Sequence, residues 1–342
     1  MDKNMWTEKK LDELLTTPSQ GLVDDMKNIK GDIIILGAGG KMGPTLAILA
    51  KNAAAAAGID KKIIAVSRFS DPIAVKLLND NGVETISADL MRHGALDELP
   101  DCDNVIFMAG RKFGTEGDAC RTWAMNAWLP SITAERYKNS SITVFSSGNL
   151  YPIVKLASGG SSEKDPVGPI GEYPMSVLAR ERVFEYAAAE YGTRVLLFRL
   201  SYAIDLRYGV LFDIANRVIN DQPVSLSATC FNCIWQGDAN EAAIRSLTLA
   251  DAPAAKLNVS GPETLSVRAA ANRFGEIFGK EVKFTGEESD SAYISNCQKA
   301  HKLFGYPHVS AETLIDWQAE YILSGGRTLD KPTHFEERKG KY

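Results

Sequence analysis

The stretch Ile33-Ile34-Ile35-Leu36 is a run of branched apolar side chains that stops at Gly37-Ala38-Gly39-Gly40-Lys41-Met42-Gly43-Pro44. An apolar helical pattern with Leu46, Ile48, Leu49 and an alanine run follows at once. The order is strand, glycine turn, helix. Glycines in such a turn let backbone approach a pyrophosphate, and the helix N-terminus offers unpaired N–H groups and the positive end of its dipole. The spacing Gly37-x-x-Gly40-x-x-Gly43 differs from the commoner G-x-G-x-x-G. Between a strand and a helix it predicts a dinucleotide site, with Gly37, Gly40, Lys41, Met42 and Gly43 against the cofactor. The alternative is a tight turn that binds nothing.

Up to about residue 200, short apolar runs alternate with helical stretches. Expected strands are 32–36, 62–67, 84–87, 104–108, 141–146 and 194–199. Expected helices are 44–57, 72–81, 120–137 and 175–191. Strands alternating with helices of ten or more residues imply a parallel sheet covered on both faces. The predicted fold is α/β: a doubly wound parallel (Rossmann) sheet with a smaller C-terminal α/β substrate-binding part. Residues 1–30 read as a helical extension, lying on the outside of the domain or in a homodimer interface. The dinucleotide-binding domain spans 31–200. The substrate-binding part spans 201–330, interleaved with the first, and is expected to hold helices at 211–220, 239–249, 267–278 and 311–324 and a loop around 258–264. The charged tail 331–342 is expected to be mobile.

With 342 residues, 45% of them hydrophobic, the chain can bury a substantial core. A net charge of −5 without a basic stripe argues against a nucleic-acid partner. No apolar run approaches the roughly 20 residues that span a bilayer. The polar, mixed-charge start of the chain does not read as a secretory signal. Five scattered cysteines read as thiols of a cytoplasmic protein rather than a disulfide framework. Cys230-Phe231-Asn232-Cys233 lacks further ligands at zinc spacing and reads as a strand or turn. The four histidines show no metal spacing.

The other strand ends carry the remaining candidates. Ser67 stands where an NAD site would place an acidic residue on the ribose hydroxyls, and Arg68 follows it. That pair, with Lys41, suits a 2′-phosphate, so NADP is expected ahead of NAD. Asp89-Leu90 follows the third strand, where the aspartate can accept from the adenine amino group. Met108-Ala109-Gly110 ends the fourth strand with small residues that let backbone lie against the cofactor. Asn126, on the next helix, can tie helix to strand. The fifth strand ends Ser146-Ser147-Gly148-Asn149-Leu150-Tyr151, and Tyr173 then opens a helix.

With Trp235-Gln236-Gly237-Asp238 and Asn258-Val259-x-Gly261, these motifs make the chain, over about 31–325, resemble the extended short-chain dehydrogenase/reductases, the NAD-dependent epimerase/dehydratase group. The resemblance implies that Ser147 hydrogen-bonds the reacting hydroxyl and Tyr173 moves its proton. Hydride then passes between substrate carbon and nicotinamide. The expected substrate is a carbohydrate or related hydroxy compound, the activity that of an oxidoreductase or epimerase.

Three departures matter. The family's lysine four residues after the tyrosine is replaced by Val177, so another cation must serve. Arg111 is the preferred candidate, with Lys112 and Arg180 behind it. Arg199-Leu200-Ser201-Tyr202-Ala203-Ile204-Asp205 lacks the family's asparagine and Gly-Pro beside a sugar nucleotide. Gly148-Asn149 replaces the acidic pair of the dehydratases. The rival readings are a dinucleotide-binding or redox-sensing protein without catalysis, and a nucleotide-sugar epimerase.

Overall fold

The computed structural model describes residues 6–114, 117–329 and 331–341. Seven parallel strands form the central sheet: β1 (Ile33–Leu36), β2 (Ile63–Ser67), β3 (Glu84–Ser87), β4 (Asn104–Phe107), β5 (Ser141–Ser147), β6 (Arg194–Leu200) and β7 (Ala255–Val259). Their order is β7-β6-β5-β4-β1-β2-β3. The winding reverses between β1 and β4, which pair from Ile33↔Asn104 to Leu36↔Phe107. In a doubly wound sheet the ligand crevice lies beyond the carboxyl ends at such a reversal.

Both faces of the central strands are covered, which explains their nearly unbroken apolar sequences. Ile33, Ile35, Ala65 and Ile106 enter one core, and Ile34, Leu36, Ile64, Val66 and Phe107 enter the other. Alternate residues of a strand point to opposite faces, so a strand covered on both needs apolar residues throughout. Helix α3 (Gly43–Ala56) is alanine-rich because it is wedged: residues Gly43 and Thr45–Ala50 are all buried. A third core joins α1 (Glu8–Thr16) to the C-terminal part, bringing Leu11 and Leu15 against Leu211, Ile214, Phe274 and Leu314. The N-terminal extension therefore packs against its own chain, with α2 (Gln20–Met26) burying Leu22 and Met26 in the sheet core.

The expected elements fall within a few residues of the observed ones; the helix Gln298–Phe304 and the short two-stranded sheets were not expected, and three further points differ. Strand β7 was not expected; it pairs Val259 with Leu200 and runs into the expected loop, which spans 260–264. It is an edge strand, and its sequence Ala-Lys-Leu-Asn-Val lacks a continuous apolar run. The helix expected over 72–81 is α4 (Pro72–Asp80), and the one expected over 120–137 contains a π-helical turn, Ala124–Trp128, between α5 (Ala119–Trp123) and α6 (Leu129–Arg136). The tail is packed rather than mobile over its described residues: Phe335 is only 3% exposed. Among the described residues no helix is long and apolar enough to cross a membrane.

Candidate active site

The glycine loop is held by backbone contact. Gly37 has φ +95°, and a Cβ there would lie 2.5 Å from the Ala109 nitrogen at the end of β4. At Gly43 a Cβ would lie 2.1 Å from the Ala38 oxygen, so the first turn of α3 must start on glycine. Gly40 differs: a Cβ would meet only the Gly37 oxygen, at 3.7 Å, and the space beside it is open. No side chain caps α3 at Met42, which leaves its first N–H groups available to an anion.

Two cavities meet at this loop and share Gly37, Gly40, Met108 and Gly110. One, of about 250 Å³, is lined by Ser67, Arg68, Asp89, Leu90 and Ala109. The other, of about 350 Å³, contains Lys41, Met42, Arg111, Ser147, Tyr173 and Arg180. These two cavities could hold the two nucleosides of a dinucleotide, with the pyrophosphate at Gly40. The open side of Gly40 and the uncapped start of α3 are what such a group requires.

Tyr173 enters the larger cavity from the first turn of α7 (Glu172–Tyr191), which begins after Gly171 at φ +94°. The Ser147 hydroxyl, at the last residue of β5, is hydrogen-bonded to the phenol. Burial raises the phenol's pKa above the usual 10, while the Ser147 bond and the charge of Arg180 pull it back. Val177 is buried and apolar. The charge facing Tyr173 comes from one turn further along the same helix. Arg180, 5% exposed, reaches back to the strand ends. Its Nη1 donates to the Phe145 carbonyl at 2.6 Å and its Nη2 to Asn126 Oδ1 at 2.9 Å. Its guanidinium also lies 5.4 Å from the Phe107 ring centre. Among the described residues its Nε is buried without a partner. Burial lowers its pKa to about 10, leaving it charged at neutral pH.

Arg111 also lines this cavity, but its guanidinium is engaged in its own loop. It pairs with Asp118 at 2.6 Å and donates to the Gly114 carbonyl at 2.9 Å. Lys112 stands beside the Tyr173 ring, with its ammonium 5.8 Å from the ring centre. Burial and the neighbouring Lys41 lower its pKa to about 8. Asn126 does not line either cavity. It sits in the π-helical turn, accepts from the Arg111 N–H and donates to the Arg111 carbonyl, both at 2.8 Å, and donates to Ser176 Oγ at 3.0 Å. One buried amide thus fixes the loop after β4, helix α7 and Arg180 together; π-turns are frequent at functional sites.

Beneath the site lies a buried ionic network. Glu181 takes two bonds from Arg199, at 2.6 and 2.9 Å, and one from Ser146 Oγ at 2.6 Å. Arg199 also donates to the Tyr151 hydroxyl at 2.6 Å, which donates to Asn258 at 2.9 Å. This chain crosses β5, α7, β6 and β7. Glu181→Ala would strand the buried Arg199 charge and is expected to cost about 3–5 kcal/mol of stability. Chemical denaturation measures it; a loss below 1 kcal/mol would mean that the pair contributes no net stability.

The far wall was not legible in the sequence: Tyr202, Tyr208, Tyr293, Ser295 and Thr333 complete the larger cavity. No local pattern marks them, because they come from separate segments of the C-terminal part. Arg180 carried a weak signal, an arginine two turns after Tyr173, but Arg180-Glu181-Arg182 reads like a solvated charge run.

The NAD-dependent epimerase/dehydratase family profile matches residues 33–209. No curated protein matches the chain. Among solved structures, a UDP-glucuronic acid 4-epimerase from Bacillus cereus in complex with NAD superposes with TM-score 0.71 at 18% identity, over 85% of this chain and 98% of that one. The same enzyme with UDP-glucuronic acid and NAD gives 0.69 at 18%, over 85% and 99%. A UDP-glucose 4-epimerase from Thermotoga maritima with UDP-glucose gives 0.69 at 18%, over 86% and 99%. These neighbours correct the expectation of NADP, since the cofactor in the Bacillus structures is NAD. Of the cations that suggested a 2′-phosphate, Lys41 lines the larger cavity, 4.1 Å from the Tyr208 ring centre, and not the smaller one that Ser67 and Arg68 line. Fold and profile agree: the chain belongs to the NAD-dependent epimerase/dehydratase family.

Proposed function

We propose that this protein binds NAD and oxidises a hydroxyl-bearing carbon of a carbohydrate or related hydroxy compound, as an oxidoreductase or an epimerase. The observation that carries the reading is the grouping of Ser147, Tyr173 and Arg180 in the cavity next to the open side of Gly40. NAD supplies the acceptor for the hydride leaving the substrate carbon. The Tyr173 oxygen takes the proton of the substrate hydroxyl. Ser147, bonded to the same phenol, orients that hydroxyl. The Arg180 charge favours the phenolate and takes over what a lysine at position 177 would do. Among the described residues no carboxylate lines the cavity, which favours oxidation or epimerisation over dehydration. A nucleotide-sugar substrate is the second reading, favoured by the UDP-sugars named with the similar structures.

The pH dependence tests the assignment. A base with a raised pKa is less ionised at neutrality, so the rate should climb with pH above 7. Arg180→Met removes a charge that lowers the phenol's pKa. It should shift the profile further alkaline, each unit being about tenfold in rate at neutrality. Arg180→Lys should recover part of the loss. Reduced-nicotinamide fluorescence across a panel of sugars and sugar acids reads both. A profile unmoved in Arg180→Met, with NAD still bound, would remove Arg180 from the mechanism. Absence of NAD binding to the unmodified protein would remove the proposed function.

A further inference from the structure

The C-terminal segment forms part of the wall of the larger cavity. Thr333 lines the cavity and is fixed by its N–H and hydroxyl, which donate to Asp213 at 2.8 and 2.5 Å. Phe335 is buried, its ring 6.5 Å from that of Phe231. Glu336 pairs with Arg217 at 2.8 Å. Arg338 donates to the Ser227 and Ser291 carbonyls at 2.8 and 2.9 Å. Gly340 lies so close to Gly171, just before α7, that a Cβ on Gly171 would sit 2.2 Å from the Gly340 oxygen. The segment is therefore a built wall, anchored at five places.

The wall leaves little room. Tyr202, held at φ +41°, stacks edge-on to Phe231 at 6.4 Å and continues the aromatic block to Phe335. The void among Tyr202, Phe231, Tyr293, Phe335 and Arg338 is about 10 Å³, enough for a single water at most. The main cavity, about 350 Å³, is at the small end of small-molecule sites and must also admit part of the cofactor.

The lining is suited to hydroxyls and to negative charge. Ser147, Asn149, Ser201, Ser295 and Thr333 offer polar groups, and the charged lining residues described are Lys41, Arg111, Lys112 and Arg180. Lys41 is central: its ammonium is 4.1 Å from the Tyr208 ring centre and 5.4 Å from that of Phe113. The nearest carboxylates are engaged elsewhere, Asp205 with Arg207 at 2.7 Å and Asp213 with Thr333. Burial and the charge of Lys331 bring the Lys41 pKa down to about 8, so it remains mostly charged at pH 7.

We propose that the substrate is a compact polyhydroxy acid of monosaccharide size, its carboxylate or phosphate held by Lys41, and that the C-terminal segment excludes a nucleotide-linked sugar. This rests on the reading of the larger cavity as the hydride-transfer site.

The test is calorimetry on the full chain saturated with NADH. The titrants are aldonic and uronic acids, sugar phosphates, the matching neutral sugars, UDP-glucose and UDP-glucuronic acid. At least one compact acid should bind tenfold or more tightly than its neutral counterpart, and the carboxylate and phosphate arms identify the charged group. The two UDP-sugars should not bind. Lys41→Met should reduce the compact acid to the affinity of the neutral sugar while retaining NADH affinity. Phe335→Ala, a milder change than removing the tail, should admit ligands larger than the intact wall accepts. UDP-sugar binding equal to or tighter than that of every compact acid would overturn the inference, as would loss of NADH affinity in Lys41→Met. Failure of the unmodified protein to bind NADH would instead overturn the proposed function beneath it.

Discussion

Tyr173→Phe is expected to lower turnover by about 10²–10⁴-fold, the usual contribution of a general acid–base group, and to leave NAD affinity unchanged. The substitution removes one oxygen. That oxygen lies in the cavity, bonded to Ser147 and facing Arg180, at the place where a substrate hydroxyl would meet the cofactor. The ring remains to fill the first turn of α7, so folding should be preserved. Ser147 loses its bond to the phenol but keeps its contact with Asn149, whose N–H donates to Ser147 Oγ at 3.1 Å. Steady-state kinetics on an active substrate, with calorimetry for NAD, separates the two effects. Wild-type turnover in Tyr173→Phe would place the base elsewhere in the cavity, and Lys112, with its pKa near 8, would be the first group to examine.

The sheet was legible in the sequence because its strands are buried on both faces, and such strands must be apolar throughout. Ile33-Ile34-Ile35-Leu36 feeds two cores at once and cannot be mistaken for an amphipathic element. The glycine loop was legible for a related reason. Gly37 and Gly43 face backbone at 2.5 and 2.1 Å, distances that no Cβ tolerates. Strand β7 was missed because an edge strand needs fewer apolar residues, and Lys256 and Asn258 broke the pattern.

The site was legible only where one segment carries both the residue and its context. Ser147 ends a strand and Tyr173 starts a helix, so each declared its position. The cation was harder. A lysine at position 177 would have been read from spacing alone, whereas Arg180 reaches the strand ends by folding back along its helix to Phe145 and Asn126. Sequence spacing does not encode that return path. Arg111 looked better placed, directly after β4, yet its loop supplies Asp118 as a partner. The far wall depends on tertiary packing of the tail against α8 (Val210–Ile219) and the loop before α7. A charged terminal dozen residues gives no sign of such docking, because its anchors are Thr333, Phe335 and Arg338 taken one at a time.

Gly40→Val is expected to abolish NAD binding and leave a folded protein, and the contrast with its neighbours makes this informative. At Gly37 and Gly43 any side chain collides with the chain's own backbone, so loss of binding there would report misfolding. At Gly40 the only atom near a Cβ is the Gly37 oxygen, at 3.7 Å, an ordinary contact. Its backbone lies outside the left-handed region, so a branched residue is not strained there. The added methyl groups would instead enter the space where the two cavities join, which a pyrophosphate must occupy to reach the N-terminus of α3. Gly40→Ala should give an intermediate loss, since it fills only part of that space. Circular dichroism and thermal melts should match the unmodified chain for both variants, while calorimetry shows weakened NAD binding for alanine and none for valine. Undiminished affinity in Gly40→Val would make the loop a plain strand-to-helix turn and would move the cofactor out of the crevice between β1 and β4.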